Sequence, residues 1–204
     1  MLLAIFGAFL GSLGGLGIAI WIEWLKRPNL LISIGVSSDQ EPGNIPARFL
    51  NLSVTNALPP APLRWFITRQ SALSCYARID FLRLDGSAVF ARPMDARWTG
   101  SPQLPQLAQG GIIHASDVDI LRYRDIHTNR AEGMDVAVKF GAENHCYGFT
   151  NTSYLHDLRD PDWLLPADRY RITVSIYTGS FTATKSFILR NDWPRPDFCL
   201  QDEA

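Results

Sequence analysis

His145 and Cys146 stand side by side, His156 and Asp157 follow eleven residues later, and imidazole and thiolate are the soft donors that zinc prefers. Their spacing departs from the short paired intervals of structural zinc sites, and neighbours on an extended chain point to opposite faces. A polar loop histidine beside a small buried cysteine is the plainer reading, with the His145, Cys146 and His156 region kept as the seat of an alternative, a membrane-bound enzyme. Asp117 and Asp119 would share one face of a strand about 7 Å apart, a separation suited to acid and base work. Their alternation with Val118 and Ile120 describes a solvated strand face equally well. Asp157, Asp160 and Asp162 offer oxygen ligands for calcium but lack the glycine-turned loop that calcium sites use. No Gly-x-Ser-x-Gly elbow occurs, and no phosphate-cradling glycine loop follows a strand. Catalytic residues, cofactor and metal are therefore all expected to be none.

The element best placed to define the molecule is its first. Residues 1–22 contain no Asp, Glu, Lys, Arg or His, and as a helix they would be about 33 Å long, the thickness of a bilayer's hydrocarbon core. Trp21 and Trp24, then Lys26 and Arg27, put aromatic rings and cations where headgroups lie. No cation precedes the apolar run and no small-x-small site ends it, so the pattern is that of an uncleaved anchor. The expectation is a single-pass transmembrane helix from Leu3 to Leu25 within a segment 1–27, followed by a domain at 28–204. Gly7, Gly11, Gly15 and Ala19 recur every four residues, which stacks them on one face where a second helix backbone can approach closely. That face points to a homo-oligomer or another membrane helix as partner. Lys26 and Arg27 place the domain in the cytoplasm by the positive-inside rule, and three cysteines without framework spacing agree with a reducing compartment.

The rest of the chain reads as β structure. Nineteen basic and twenty acidic residues leave a net charge of −1, and with no basic stripe nucleic acid is excluded as a partner. Thirteen prolines and fifteen glycines break the chain into short apolar stretches, which predicts turns rather than long helices. Alternation predicts strands at Leu30–Val36, Phe49–Asn56, Cys75–Phe81, Ile112–Ala115, Asp117–Tyr123, Met134–Phe140, Tyr170–Tyr177 and Thr182–Arg190. Asp85-Gly86 supplies a tight hairpin turn before a strand at Ser87–Ala91. Seven to nine such strands make a sandwich. The Pro-rich connection Ala57–Ser74 carries Leu63, Trp65, Phe66 and Ile67 with Arg64 and Arg69. That composition would rest on lipid headgroups if the fold turns the loop toward the anchor, and would otherwise form a lid over one end of the core.

The stretch Leu165-Pro166-Ala167-Asp168-Arg169-Tyr170, leading into the alternating Arg171-Ile172-Thr173-Val174, resembles the approach to a late strand in immunoglobulin-like and fibronectin III-like domains. With Phe49–Asn56, Cys75, Arg97-Trp98 and Phe187–Asn191, the whole chain resembles uncharacterised prokaryotic single-pass membrane proteins that carry such a β-sandwich behind one N-terminal helix. The resemblance implies an immunoglobulin-like fold of mainly β structure and no activity. The function expected is a membrane-anchored, non-catalytic binding or scaffolding module working through protein–protein contacts. A lipid-surface sensor built on the Trp65 loop stands beside the enzyme as an alternative.

Overall fold

The structure is a computed structural model that describes residues 15–103, 119–141, 143–191 and 194–203. Its elements are a helix α1 (residues 15–26) and thirteen strands: β1 (Leu30–Ile34), β2 (Ser38–Gln40), β3 (Ala47–Asn56), β4 (Ala72–Arg83), β5 (Met94–Asp95), β6 (Arg97–Trp98), β7 (Arg124–Ile126), β8 (Ala131–Phe140), β9 (Cys146–Gly148), β10 (Leu164–Leu165), β11 (Arg169–Tyr177), β12 (Thr182–Arg190) and β13 (Cys199–Asp202). One antiparallel sheet runs β1-β3-β8-β9-β10, with β2 beside β3 and β6 beside β8. The other runs β13-β12-β11-β4-β5, with β7 on β4.

Period-two patterning decides which faces meet. Leu50, Leu52 and Val54 of β3 turn inward toward Cys75, Ala77, Ile79 and Phe81 of β4 and Ile172, Val174 and Ile176 of β11, forming one continuous core between the sheets. A smaller cluster, Ala47, Phe49, Val138, Phe140, Tyr147 and Phe149, lies on the outer face of the first sheet, with Tyr154 and Leu158 packed on it. The β3–β8 ladder shifts register between Leu50 and Asn51, so that Leu50 pairs with Ala137 and Asn51 with Asp135. This bulge inserts Val136 and lets both faces of β8 be buried along one strand.

Several expectations change. The described strands outnumber the seven to nine foreseen because β2, β5, β6, β7, β9, β10 and β13 are short pieces of two to four residues. The Asp85-Gly86 turn forms, with Gly86 at φ 88° and the Ser87 N–H donating to Asp85 at 2.8 Å. The strand expected at Ser87–Ala91 reduces to one bridge between Leu82 and Ala88. The cause is packing: neighbouring Val89 and Phe90 both turn against the core, and Phe90 meets Phe81 and Trp163 edge-on at 5.6 and 4.9 Å. Asp119 to Tyr123 is a helical turn rather than a strand, closed by Arg122 N–H to Asp119 at 3.2 Å and by an Arg122–Asp119 ion pair at 3.3 Å. Asp117 and the stretch Ile112–Ala115 lie outside the described residues.

Of the expected span Leu3–Leu25, residues 15–25 are helical and the earlier ones lie outside the described residues, as do Gly7 and Gly11. Among the described residues no helix is long and apolar enough to cross a membrane.

Candidate functional site

The helix end and the Pro-rich loop meet at one pole of the sandwich. Within residues 15–26 only Leu25 is buried, while Leu16, Ile18, Ile20, Trp21 and Trp24 are exposed. Gly15 and Ala19 are exposed as well, and a Cβ at Gly15 would meet open space. Lys26 pairs with Glu23 at 2.8 Å. The backbone N–H of Gln70 donates to the carbonyl of Lys26 at 2.8 Å, and Arg69 Nη1 donates to the carbonyl of Arg27 at 2.9 Å. These two bonds satisfy carbonyls that a helix end leaves without intrahelical partners, and they fix the base of the loop against the end of α1. A cavity of about 590 Å³ lies at this junction, lined by Trp24, Arg27, Arg69, Gln70 and the β11–β12 turn residues Ser180 and Phe181.

The loop itself is built to display its rings. Leu63 N–H donates to Pro60 at 2.9 Å, Phe66 and Ile67 N–H both donate to Leu63 at 3.0 and 2.9 Å, and Arg64 Nε donates to Pro59 at 2.9 Å. This closed turn buries Ile67 and leaves Trp65 89% and Phe66 86% exposed. Ile67 turns inward as a lid would, while Trp65 and Phe66 point away from the described core.

A second surface lies on the outward face of the other sheet. Tyr76 of β4 stacks on Tyr177 of β11 with ring centroids 4.8 Å apart, and Tyr123 meets Tyr76 edge-on at 5.9 Å. Arg78 lies 5.6 Å over the Tyr76 ring. Asp95 accepts from Arg78 at 3.3 Å and from Arg122 at 3.2 Å. An adjoining cavity of about 440 Å³ adds Arg92 and the hydroxyls of Thr150 and Thr152. Arg78, Arg92 and Arg122 are set against Asp95, Asp119 and Asp80, the next outward residue of β4 after Arg78, and tyrosine and arginine are the side chains on which protein contacts concentrate their energy.

The residues singled out for enzyme chemistry are not brought together. His145 engages its neighbours, with Nε2 2.8 Å from the Tyr147 hydroxyl and 3.2 Å from Glu143. Cys146 points the other way into the main core, where burial raises its thiol pKa far above the ordinary range. His156 is exposed in the 3-10 segment Asn151–His156. Among the described residues no group of three or more His, Cys, Asp or Glu is placed to hold a metal.

Sequence reasoning missed a buried ion pair. Arg97 of β6 and Asp135 of β8 face each other on the outer face of the first sheet. Arg97 Nη2 also donates to Ser101 at 2.6 Å, Thr99 donates to Asp135 at 2.7 Å, and the guanidinium sits 5.1 Å from the Tyr154 ring and 5.6 Å from Phe149. Burial pushes the Asp135 carboxyl upward, against the opposing pull of Arg97 and Thr99. The signal for it in the sequence is Asp135, one of two charges inside the otherwise apolar run Met134–Phe140. Comparison with protein-family models, with curated proteins and with solved structures finds no match to this chain.

Proposed function

We propose that the chain is a membrane-anchored, non-catalytic binding or scaffolding module: an immunoglobulin-like β-sandwich held on the cytoplasmic side of a bilayer by one transmembrane helix over Leu3–Leu25. The observation that carries the anchor is the exposure of Leu16, Ile18, Ile20, Trp21 and Trp24 around a helix that the domain touches through its last turn. At 100° per residue these five positions cover more than half of the helix circumference, and an apolar helix of that kind needs an apolar surrounding. The uncharged residues 1–14 continue the same composition. Lys26 and Arg27 at the domain end favour the cytoplasmic side.

The immunoglobulin-like reading draws support from topology. Strands β4, β11 and β12 form one sheet against β1, β3 and β8 of the other, the arrangement in which early and late strands of such domains divide. Tyr170, at the start of β11, donates its hydroxyl to the carbonyl of Pro166 at 2.9 Å, the tyrosine corner of that architecture. The binding role rests on the Tyr123, Tyr76, Tyr177 and Arg78 face, whose stacked rings and arginine are the residue types on which protein contacts concentrate their energy.

The test is made in native membranes. Full-length protein should resist carbonate extraction, and a photocrosslinking residue at Tyr76 should give adducts with a second protein that Arg78→Glu abolishes. Release by carbonate overturns the anchor. Adducts confined to other copies of this chain replace scaffolding with self-association. Labelling of an introduced surface cysteine by an impermeant reagent on intact cells would reverse the orientation.

A further inference from the structure

We infer that the Pro59–Arg69 loop is a second membrane contact, with Trp65 and Phe66 seated in the headgroup layer of the bilayer that receives α1. The inference rests on the anchor just proposed and adds what the loop does once the anchor is inserted.

Four observations converge on a bilayer as the occupant. First, the loop and helix end are joined by the Gln70–Lys26 and Arg69–Arg27 hydrogen bonds, so neither moves far without the other. Second, Trp65 lies five residues from Gln70, and a chain of that length reaches at most about 18 Å, which keeps the rings within that distance of the helix end. Third, Trp65 and Phe66 are the most exposed aromatic side chains described, and the hydrogen-bonded turn at Leu63 holds them outward while burying Ile67. A preorganised pair of exposed rings loses little conformational freedom on docking. Fourth, this pole carries Lys26, Arg27, Arg64 and Arg69, and Glu23, the one acidic residue among those described as lining the junction cavity, is already paired with Lys26. Cations beside aromatic rings match an anionic headgroup layer, and Trp21 and Trp24 on the helix complete a belt with Trp65 and Phe66.

With two points of contact the sandwich would be held at a fixed tilt rather than swinging on a single helix. The full chain reconstituted into nanodiscs of zwitterionic and anionic phospholipid tests this, with bromine placed on the acyl chains near the headgroups. The emission of Trp65 is taken as the difference between the parent and Trp65→Phe, a substitution that keeps a ring in an exposed turn. That emission should be largely lost in brominated discs and insensitive to aqueous iodide. Loss to iodide with indifference to bromine overturns the inference, because the ring is then in water. Protection from both quenchers also overturns it, in favour of a second protein copy covering the loop. A parallel difference for Trp21→Phe with Trp24→Phe reports the anchor: if those tryptophans too escape bromine, the anchor has failed and not the loop alone.

Discussion

Arg97 and Asp135 form the most consequential pair of single residues. Removing one member of a buried pair strands the other charge without compensation, which typically costs about 3–5 kcal/mol, whereas replacing both with apolar groups is often near neutral. Asp135→Asn should therefore lower the free energy of chemical unfolding by about 3 kcal/mol, and the double variant Arg97→Met/Asp135→Leu should recover much of it. The cysteines give an independent check on burial. Burial, with Asp125 nearby, raises the Cys75 thiol to about 11, Cys146 is buried as completely, and Cys199 is half-exposed. At pH 8 iodoacetamide should modify Cys199 in the folded protein and reach Cys75 and Cys146 only in denaturant, as read by peptide mass spectrometry. Buried charges are the least legible feature of the sequence. Asp135 and Lys139 in Met134–Phe140 sit where alternation assigns a wet face, yet both are buried. The bulge against β3 and the Arg97–Tyr154 contact enclose Asp135, while Lys139 reaches Asn191 and Phe198, partners that the local pattern does not show.

Among the elements, strands with sustained alternation are legible in the sequence: β11 and β12 match their expected limits to within one residue, and β3, β4 and β8 extend them. Pieces of two or three residues hold too few side chains for a period to show, and β5, β6 and β10 exist because β4, β8 and β9 offer them ladder partners. Gly35, between β1 and β2, exposes one such tertiary demand. An added Cβ would come within 2.9 Å of the Asn51 carbonyl oxygen, a backbone atom on β3. Gly35→Ala should destabilise by about 1–3 kcal/mol, measured as a lower midpoint in urea with unchanged slope. The β2–β3 tie supplies a pH test. Arg48 holds the Asp39 carboxyl below its ordinary 3.8, so the stabilisation is present above that value and lost as pH falls through the lower folded one. As the pair is partly exposed, Asp39→Asn should cost under about 1 kcal/mol at pH 7, and the difference should vanish in strong acid.

For the chain as a whole, hydropathy points to a helix before the sandwich, because charge is absent over 22 residues, and residues 15–26 are helical. What hydropathy leaves open is where the Trp65 loop goes, since that depends on Gln70 and Arg69 finding carbonyls more than 40 residues earlier in the chain. Their pairing makes an apolar loop a neighbour of the end of α1. Deleting residues 1–27 removes both carbonyl partners and should loosen residues 59–70 selectively, visible as faster amide exchange there with the β3, β8 and β11 ladders unchanged.

The junction at Gln70 also sets the height of the tyrosine ladder. Strand β4 begins two residues later at Ala72, so Tyr76 stands only about 13 Å further along the strand from that point. Tyr177, its stacking partner, closes β11 just before the turn that borders the same junction. Under the proposed anchoring, recognition at this face would take place close to the lipid surface, within reach of short juxtamembrane tails. A tall ectodomain-like partner engaging only the far end of the sandwich would miss it.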